Sequence, residues 1–338
     1  MLRFGIVGYD HPHIIRYAPT IATHRHVRLT AIAAIGLNKE MAKRDAERFG
    51  SRYYEDLDEF VSSEELDAIY IATDPSRHLE VVSKTAPKGV HILCDKPIAI
   101  SLKEADGIIS LAEKNGVKLM VPFNPPYQLG VIRMKEMIEK GEFGDIYNLN
   151  ATKYGKIPTT IKGMDTSWFL DKSRAGFGGF ADIGIHAVYG LMWLIQKPVK
   201  KVYAKIERKL YKEIPVDDIG VALMEFEGGT VGTVSAGWAN PLGFPTHLDA
   251  TFEVLGSKGA MVVIKPYHDF KVFDQEKTES VNWWRVDIAR LVDEFVMSIL
   301  ENREPAITGK DARDALEVVV AAYRSSETGT EVTLPLTV

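Results

Sequence analysis

Val90-His91-Ile92-Leu93-Cys94-Asp95-Lys96-Pro97 is an apolar run closed by an acid, a lysine and a proline. A short, continuous apolar run reads as a strand buried on both faces, the habit of parallel sheets. A lysine just past such a strand stands where open α/β sheets bind ligands, outside the carboxyl ends of the strands. The same rhythm recurs outward from it. Leu2–Val7 and residues 27–34, 68–72 and 118–121 are similar apolar runs. Helical stretches separate them. Lys39–Phe49 is charged and amphipathic, and residues 76–86 follow a Pro-Ser start. Residues 101–115 open with Ser101 and Glu104 at capping-box spacing and stop at Asn115-Gly116. Strand–helix alternation with short loops predicts an α/β fold with a doubly wound parallel sheet.

The rhythm stops at Pro122-Phe123-Asn124-Pro125-Pro126, where three prolines mark a boundary. The expected domains are therefore 1–121 and 122–338. The second opens with a helix over 128–140. Strand-like runs follow at 145–154, 199–208, 218–225, 230–237, 248–254 and Ala260–Ile264, joined by Gly-rich turns. Sequential strands with short turns predict a large, mostly antiparallel open sheet. A helix over 182–195 interrupts it, and helices at 285–301 and 310–326 close the chain.

Bulk properties exclude several classes. The net charge of −5 gives no basic face for nucleic acid. The strand-like start leaves no room for a signal peptide, and no apolar run approaches the ~18 residues of a membrane span. A single cysteine, Cys94, rules out an internal disulfide and fits a reducing cytoplasm. The expectation is a cytoplasmic protein that binds neither nucleic acid nor membrane.

The first turn reads Gly8-Tyr9-Asp10-His11-Pro12-His13. A dinucleotide fold usually carries three glycines here, for a tight turn and close approach of a pyrophosphate. Only Gly8 remains; Asp10 and His13 stand at the other two places. The helix start still offers N–H groups to an anion, with His11 and His13 as added positive charge. The end of the second strand, Ala33-Ala34-Ile35-Gly36-Leu37-Asn38-Lys39, lacks the acid that holds an adenosine ribose. His11, His13, His24 and His26 invite a metal reading, but no cysteine or carboxylate completes a ligand spacing. No metal is expected.

A second cluster is Gly178-Gly179-Phe180-Ala181-Asp182-Ile183-Gly184-Ile185-His186. On a helix Asp182 and His186 are i and i+4 and share a face. Histidine suits proton transfer near neutral pH, and a partly desolvated Lys96 can share a proton with a hydroxyl. Lys96, Asp182 and His186 are the candidate catalytic groups.

With these residues in hand, the chain resembles the Gfo/Idh/MocA oxidoreductases over almost its full length. Ala72-Thr73-Asp74-Pro75-Ser76-Arg77-His78 resembles the family's A-T-P-N-x-x-H loop. Asp95-Lys96-Pro97 resembles its E-K-P motif. Met120-Val121-Pro122-Phe123-Asn124 resembles the strand entering its second domain. Trp168 with Gly178-Gly179 and Asp182-x-x-x-His186 resembles the W…G-G-x-x-x-D-x-G-x-H stretch, and 321–329 its closing helix. The resemblance implies a Rossmann domain at 1–121, a substrate and oligomerisation domain at 122–338, and NAD or NADP as cofactor. It implies nucleotide contacts from Gly8, Tyr9, Asp10, His11, His13, Thr73, Asp74, His78, Asp95, Lys96 and Asn124. Substrate would meet Lys96, Tyr154, Trp168, Asp182 and His186. Lys96 would polarise a hydroxyl, His186 would exchange its proton, and Asp182 would orient them. The implied activity is oxidation or reduction at a CH–OH group of a sugar, polyol or related molecule, in a homodimer or homotetramer built through the second sheet. The alternatives are non-net-redox chemistry on the same fold and a ligand-binding or regulatory protein without cofactor.

Overall fold

The structure is a computed structural model that describes residues 1–241, 249–264, 269–273, 278–282 and 286–337. Leu248 and Arg285, expected in a strand and a helix, lie outside the described residues. The first half runs β1 (Leu2–Val7), α1 (Ile14–Ala22), β2 (Val27–Ala33), α2 (Lys39–Phe49), β3 (Arg52–Tyr54), α3 (Leu57–Ser63), β4 (Ala68–Ile71), α4 (His78–Thr85), β5 (His91–Cys94), α5 (Leu102–Lys114) and β6 (Leu119–Met120). The strands form one parallel sheet in the order β3-β2-β1-β4-β5-β6. Its order reverses between β1 and β4, and a crevice opens at such a reversal. The inner strands β4 and β5 are almost wholly buried, which is why they read as unbroken apolar runs. β3 and α3 had no such signal: β3 is a three-residue edge strand with no buried residue. The cap of α5 forms in part as expected. Ser101 Oγ accepts from the Glu104 N–H, but the Glu104 carboxylate reaches the Ile100 N–H instead of that of Ser101.

The second half runs α6 (Leu129–Glu139), β7 (Ile146–Tyr154), α7 (Lys172–Ala175), α8 (Gly179–Ile195), β8 (Val199–Glu207), β9 (Ile219–Phe226), β10 (Val231–Gly237), β11 (Asp249–Gly256), β12 (Ala260–Ile264), β13 (Asp269–Phe273), β14 (Thr278–Asn282), α9 (Val286–Leu300), α10 (Gly309–Thr328) and β15 (Val332–Thr333). Its main sheet has the order β12-β11-β7-β10-β9-β8-β15. Every pair is antiparallel except β7 with β10. A parallel pair needs a crossover, and the long connection between these two strands carries α8 back across the inner face. α8 is buried nearly throughout. Residues 172–195 are long and apolar enough to cross a membrane by composition, but 72% of that stretch is buried in the fold, as a core helix is. The opposite sheet face exposes Tyr203, Val221, Leu223 and Val262. α9 leaves this sheet and packs on the first half, where Phe295 meets Phe4 edge-on at 6.2 Å.

Candidate active site

A cleft of about 560 Å³ lies where the carboxyl ends of β1 and β5 face α8 and the end of β7. Its wall carries His11, His13, Lys96, Lys153, Asp182 and His186. β5 delivers Lys96 to the rim, and Lys96 is only 3% exposed. α8 delivers Asp182 in its first turn and His186 one turn later. The helix start is seated closely: a Cβ on Gly179 would lie 2.9 Å from the Asp218 carbonyl oxygen and 3.1 Å from the Trp238 nitrogen. A distant residue caps it. Asp217 Oδ2 accepts from the Phe180 N–H at 2.8 Å, while Tyr323 Oη donates to Asp217 Oδ1 at 2.6 Å.

Lys96 Nζ donates to Asp182 Oδ1 at 2.5 Å and to the Asp182 carbonyl at 2.8 Å. Trp238 Nε1 donates to the other carboxylate oxygen at 2.8 Å. Burial would raise the Asp182 pKa, but the Lys96 charge and these bonds hold it below the usual carboxylate value. His186 is 2% exposed, and its Nδ1 has no partner. Burial, and then the charges of Lys153 and Lys96, push its pKa well below the ordinary value, so the imidazole is neutral. The ring stands edge-on to Phe123 at 5.7 Å and 6.3 Å from His13. The arrangement therefore offers the Lys96–Asp182 pair, a second lysine in Lys153 and one neutral base around one opening.

The expected nucleotide residues divide into groups. His11, His13, Lys96 and Asn124 line the cleft. Gly8, Asp10, Thr73 and Asp74 meet along the β1–β4 reversal, fully buried. Gly8 has φ +88°, and a Cβ there would lie 2.5 Å from the Thr73 nitrogen. Asp10 Oδ2, Thr73 Oγ1 and His11 Nε2 are buried without partners along this line, as polar groups awaiting a polar ligand would be. They fit a dinucleotide at its diphosphate and nicotinamide end. Asp10 is also pushed up to about 6 by burial, which lessens its charge beside a diphosphate. Side chains beside the ends of β2 and β4 are tied to one another. Arg77 donates to the Ile35 carbonyl, Arg174 pairs with Asp74 at 2.7 Å, and Asn38 Nδ2 donates to the Tyr9 and Asp165 carbonyls, both at 2.9 Å. Asp95 lies beneath the cleft floor. His78 sits deeper still, with its Nδ1 3.0 Å from the Ile98 carbonyl.

Three expectations are corrected. Tyr9 points into the core, 0% exposed, and its hydroxyl reaches Asp45 on α2. Tyr154 lies on the outer face of β7, bonded to Ser235. Strand side chains alternate, so its neighbour Lys153 takes the place on the cleft wall. Trp168 roofs the first turn, donating from Nε1 to the Asp10 carbonyl at 3.0 Å, and its stacked neighbour Phe169 lines the cleft instead. Lys153, Asp217 and Arg174 were not among the residues expected from the sequence. Of these, only Lys153 had a usable clue, a charge at a core-facing place of the alternating run 149–153. The histidine reading also changes: Asp95, just past β5, lies 3.0 Å from His13 Nδ1 and 3.3 Å from His11 Nδ1.

Comparison with known proteins agrees with this architecture. Residues 2–123 match the model of an oxidoreductase family with an NAD-binding Rossmann fold, and residues 131–262 match the GFO/IDH/MocA C-terminal domain. An uncharacterized oxidoreductase, YrbE, of Bacillus subtilis is 25% identical across 98% of this chain and 94% of its own length. Myo-inositol 2-dehydrogenase of Thermotoga maritima is 23% identical across 96% of both chains. The crystal structure of GenD2 from gentamicin A biosynthesis, in complex with NAD, superposes with a TM-score of 0.87 at 24% identity, covering 99% of this chain and 97% of that one.

Proposed function

The chain belongs to the Gfo/Idh/MocA oxidoreductase family, and from that premise we propose that it is an NAD(P)-dependent oxidoreductase acting on a CH–OH group of a sugar, polyol or related polyhydroxylated molecule. The observation that carries the reading is the meeting of Lys96 with Asp182 at 2.5 Å, one helical turn from a neutral His186, at the mouth of the Rossmann sheet. Gly8, Asp10, His11, Thr73, Lys96 and Asn124 would hold the nucleotide. When bound, a nicotinamide supplies hydride transfer. The remaining work falls to the side chains. Lys96 donates a hydrogen bond to the substrate hydroxyl and stabilises developing alkoxide charge. The His186 imidazole takes the hydroxyl proton in oxidation and returns it in reduction. Asp182, tied by Lys96 and Trp238, keeps the ammonium aimed and balances its charge. Lys153 adds a second positive group on the substrate side.

The substrate class draws on relatives named as inositol and sugar dehydrogenases. The uncovered sheet face supports a homodimer or homotetramer, and the single buried thiol supports a reducing, cytoplasmic setting. The test is fluorescence titration with NADH and NADPH, then a sugar and polyol panel followed at the reduced-nicotinamide absorbance. No binding at millimolar nucleotide would overturn the proposal.

A further inference from the structure

We propose that His11, His13 and Asp95 form a site for a divalent transition-metal ion in the cleft floor, beside His186. The three side chains bring one ligating atom each to within 4.8 Å of one another. His13 Nδ1 lies 3.0 Å from Asp95 Oδ1, and His11 Nδ1 lies 3.3 Å from Asp95 Oδ2. Two donor atoms that each sit about 2.1 Å from one ion are roughly 3.0–3.4 Å apart in octahedral or tetrahedral coordination. Each histidine–carboxylate spacing is thus compatible with neighbouring ligands on one ion, which Asp95 would meet with both oxygens, one facing each histidine; without an ion, the His13 contact is a hydrogen bond.

Hydrogen bonding points the same way. The His13 main-chain N–H donates to His11 Nδ1 at 3.2 Å. That nitrogen therefore presents a lone pair, not a proton, to a carboxylate oxygen 3.3 Å away. The proton sits on Nε2, which is buried without a partner. A direct imidazole–carboxylate hydrogen bond at His11 would need the proton on Nδ1 and would forfeit the backbone bond. Coordination of a cation at Nδ1 would replace that backbone bond, because an imidazole nitrogen has a single lone pair, and would relieve the contact between two acceptors, His11 Nδ1 and Asp95 Oδ2.

The supports are those of a built site. Tyr70 Oη donates to Asp95 Oδ2 at 2.5 Å, and the Lys96 N–H donates to Oδ1 at 2.7 Å. Such outer partners fix the orientation of metal-binding carboxylates. Asp95 and His11 are rigidly buried, while the His13 side chain is 27% exposed on the cleft wall. Two imidazoles and one carboxylate suit Zn²⁺ and its first-row neighbours, and three protein ligands leave a position open to an incoming oxygen donor. A substrate hydroxyl or carboxylate in the cleft is the ligand class that position would take.

The test uses tag-free full-length protein. Metal content is measured by mass spectrometry as purified, after chelator treatment, and after titration with ZnCl₂ or MnCl₂ by calorimetry. CoCl₂ provides a spectroscopic reading of the coordination. The expected result is one equivalent per chain, with His13→Ala weakening Zn²⁺ binding about a hundredfold or more and His26→Ala leaving it unchanged. Asp95→Asn should act like His13→Ala; if its buried amide disrupts the fold, the partly exposed His13→Ala decides alone. Absence of stoichiometric uptake by the parent protein, or parent-like affinity in folded His13→Ala, would overturn the site. NADPH titration of the same samples is read separately, so failure here is distinguishable from failure of the redox proposal.

Discussion

Replacing Lys96 by methionine tests the centre of the site. The substitution keeps the bulk of the stem and deletes the ammonium. Asp182 then loses two of its bonds, at 2.5 and 2.8 Å, and keeps only the Trp238 donor. Breaking a buried ion pair from one side costs about 3–5 kcal/mol, because the other charge is left uncompensated. Protonation of the orphaned carboxyl sets a ceiling. From an ordinary pKa of 3.8, holding the proton costs about 1.4 kcal/mol per pH unit, hence about 4 kcal/mol at pH 7. The expected loss is about 3–4 kcal/mol at pH 7. The sign with pH follows from linkage. A carboxylate whose folded pKa is depressed contributes stability above its unfolded pKa, and that stability is lost as pH falls through the folded value. In Lys96→Met burial raises the orphaned carboxyl instead, so the variant's penalty shrinks as pH falls toward the ordinary carboxylate value, while the parent's own contribution is lost only below it; the gap therefore narrows between pH 7 and pH 4 without closing. Urea unfolding followed by circular dichroism at both pH values reads this directly. The double variant Lys96→Met/Asp182→Asn removes the orphaned charge and should recover about 2 kcal/mol at pH 7. A single variant as stable as the parent at pH 7, or a double variant no better than the single, would refute the reasoning. Turnover should fall by about two to four orders of magnitude in Lys96→Met.

Two other substitutions probe the turn and the cleft wall. Gly8→Ala forces a side chain into a left-handed backbone against the Thr73 nitrogen, and thermal unfolding should show a loss of at least about 2 kcal/mol, together with weaker nucleotide binding. An unchanged midpoint would mean the close approach is not real. Lys153→Met removes a charge that depresses the His186 pKa, so the acidic limb of the kcat/KM profile should move to higher pH. A limb that stays in place would remove Lys153 from the electrostatics of the base.

Much of the frame was legible because it rests on local rules. Buried parallel strands must be apolar on both faces, so β1, β2, β4 and β5 announce themselves, and α2 and α5 carry their periodicity and stop signals in the chain. β3 was silent because a short edge strand buries no side chain, and α3, seven residues long, buries only Leu57 and Phe60, too few to show a helical period. Lys96 was visible because a charge after an apolar strand is unusual, and the Asp182–His186 pair because four residues make one helical turn. Tyr154 and Trp168 were misplaced for one reason: proximity in sequence does not say which face of a strand, or which side of a loop, a side chain occupies.

The sequence by itself determined the doubly wound first sheet, the second strand-rich half and the three polar groups suited to proton and charge chemistry. Tertiary structure alone decided how they combine. It set the Lys96 ammonium against Asp182 across 86 residues of chain. It supplied Trp238 and Asp217 as remote partners and chose Lys153 over Tyr154. It also brought Asp95 beneath His11 and His13. Such pairings depend on strand order and crossover, and these are fixed by how apolar faces are buried together. No window of sequence encodes the distance between two strand ends.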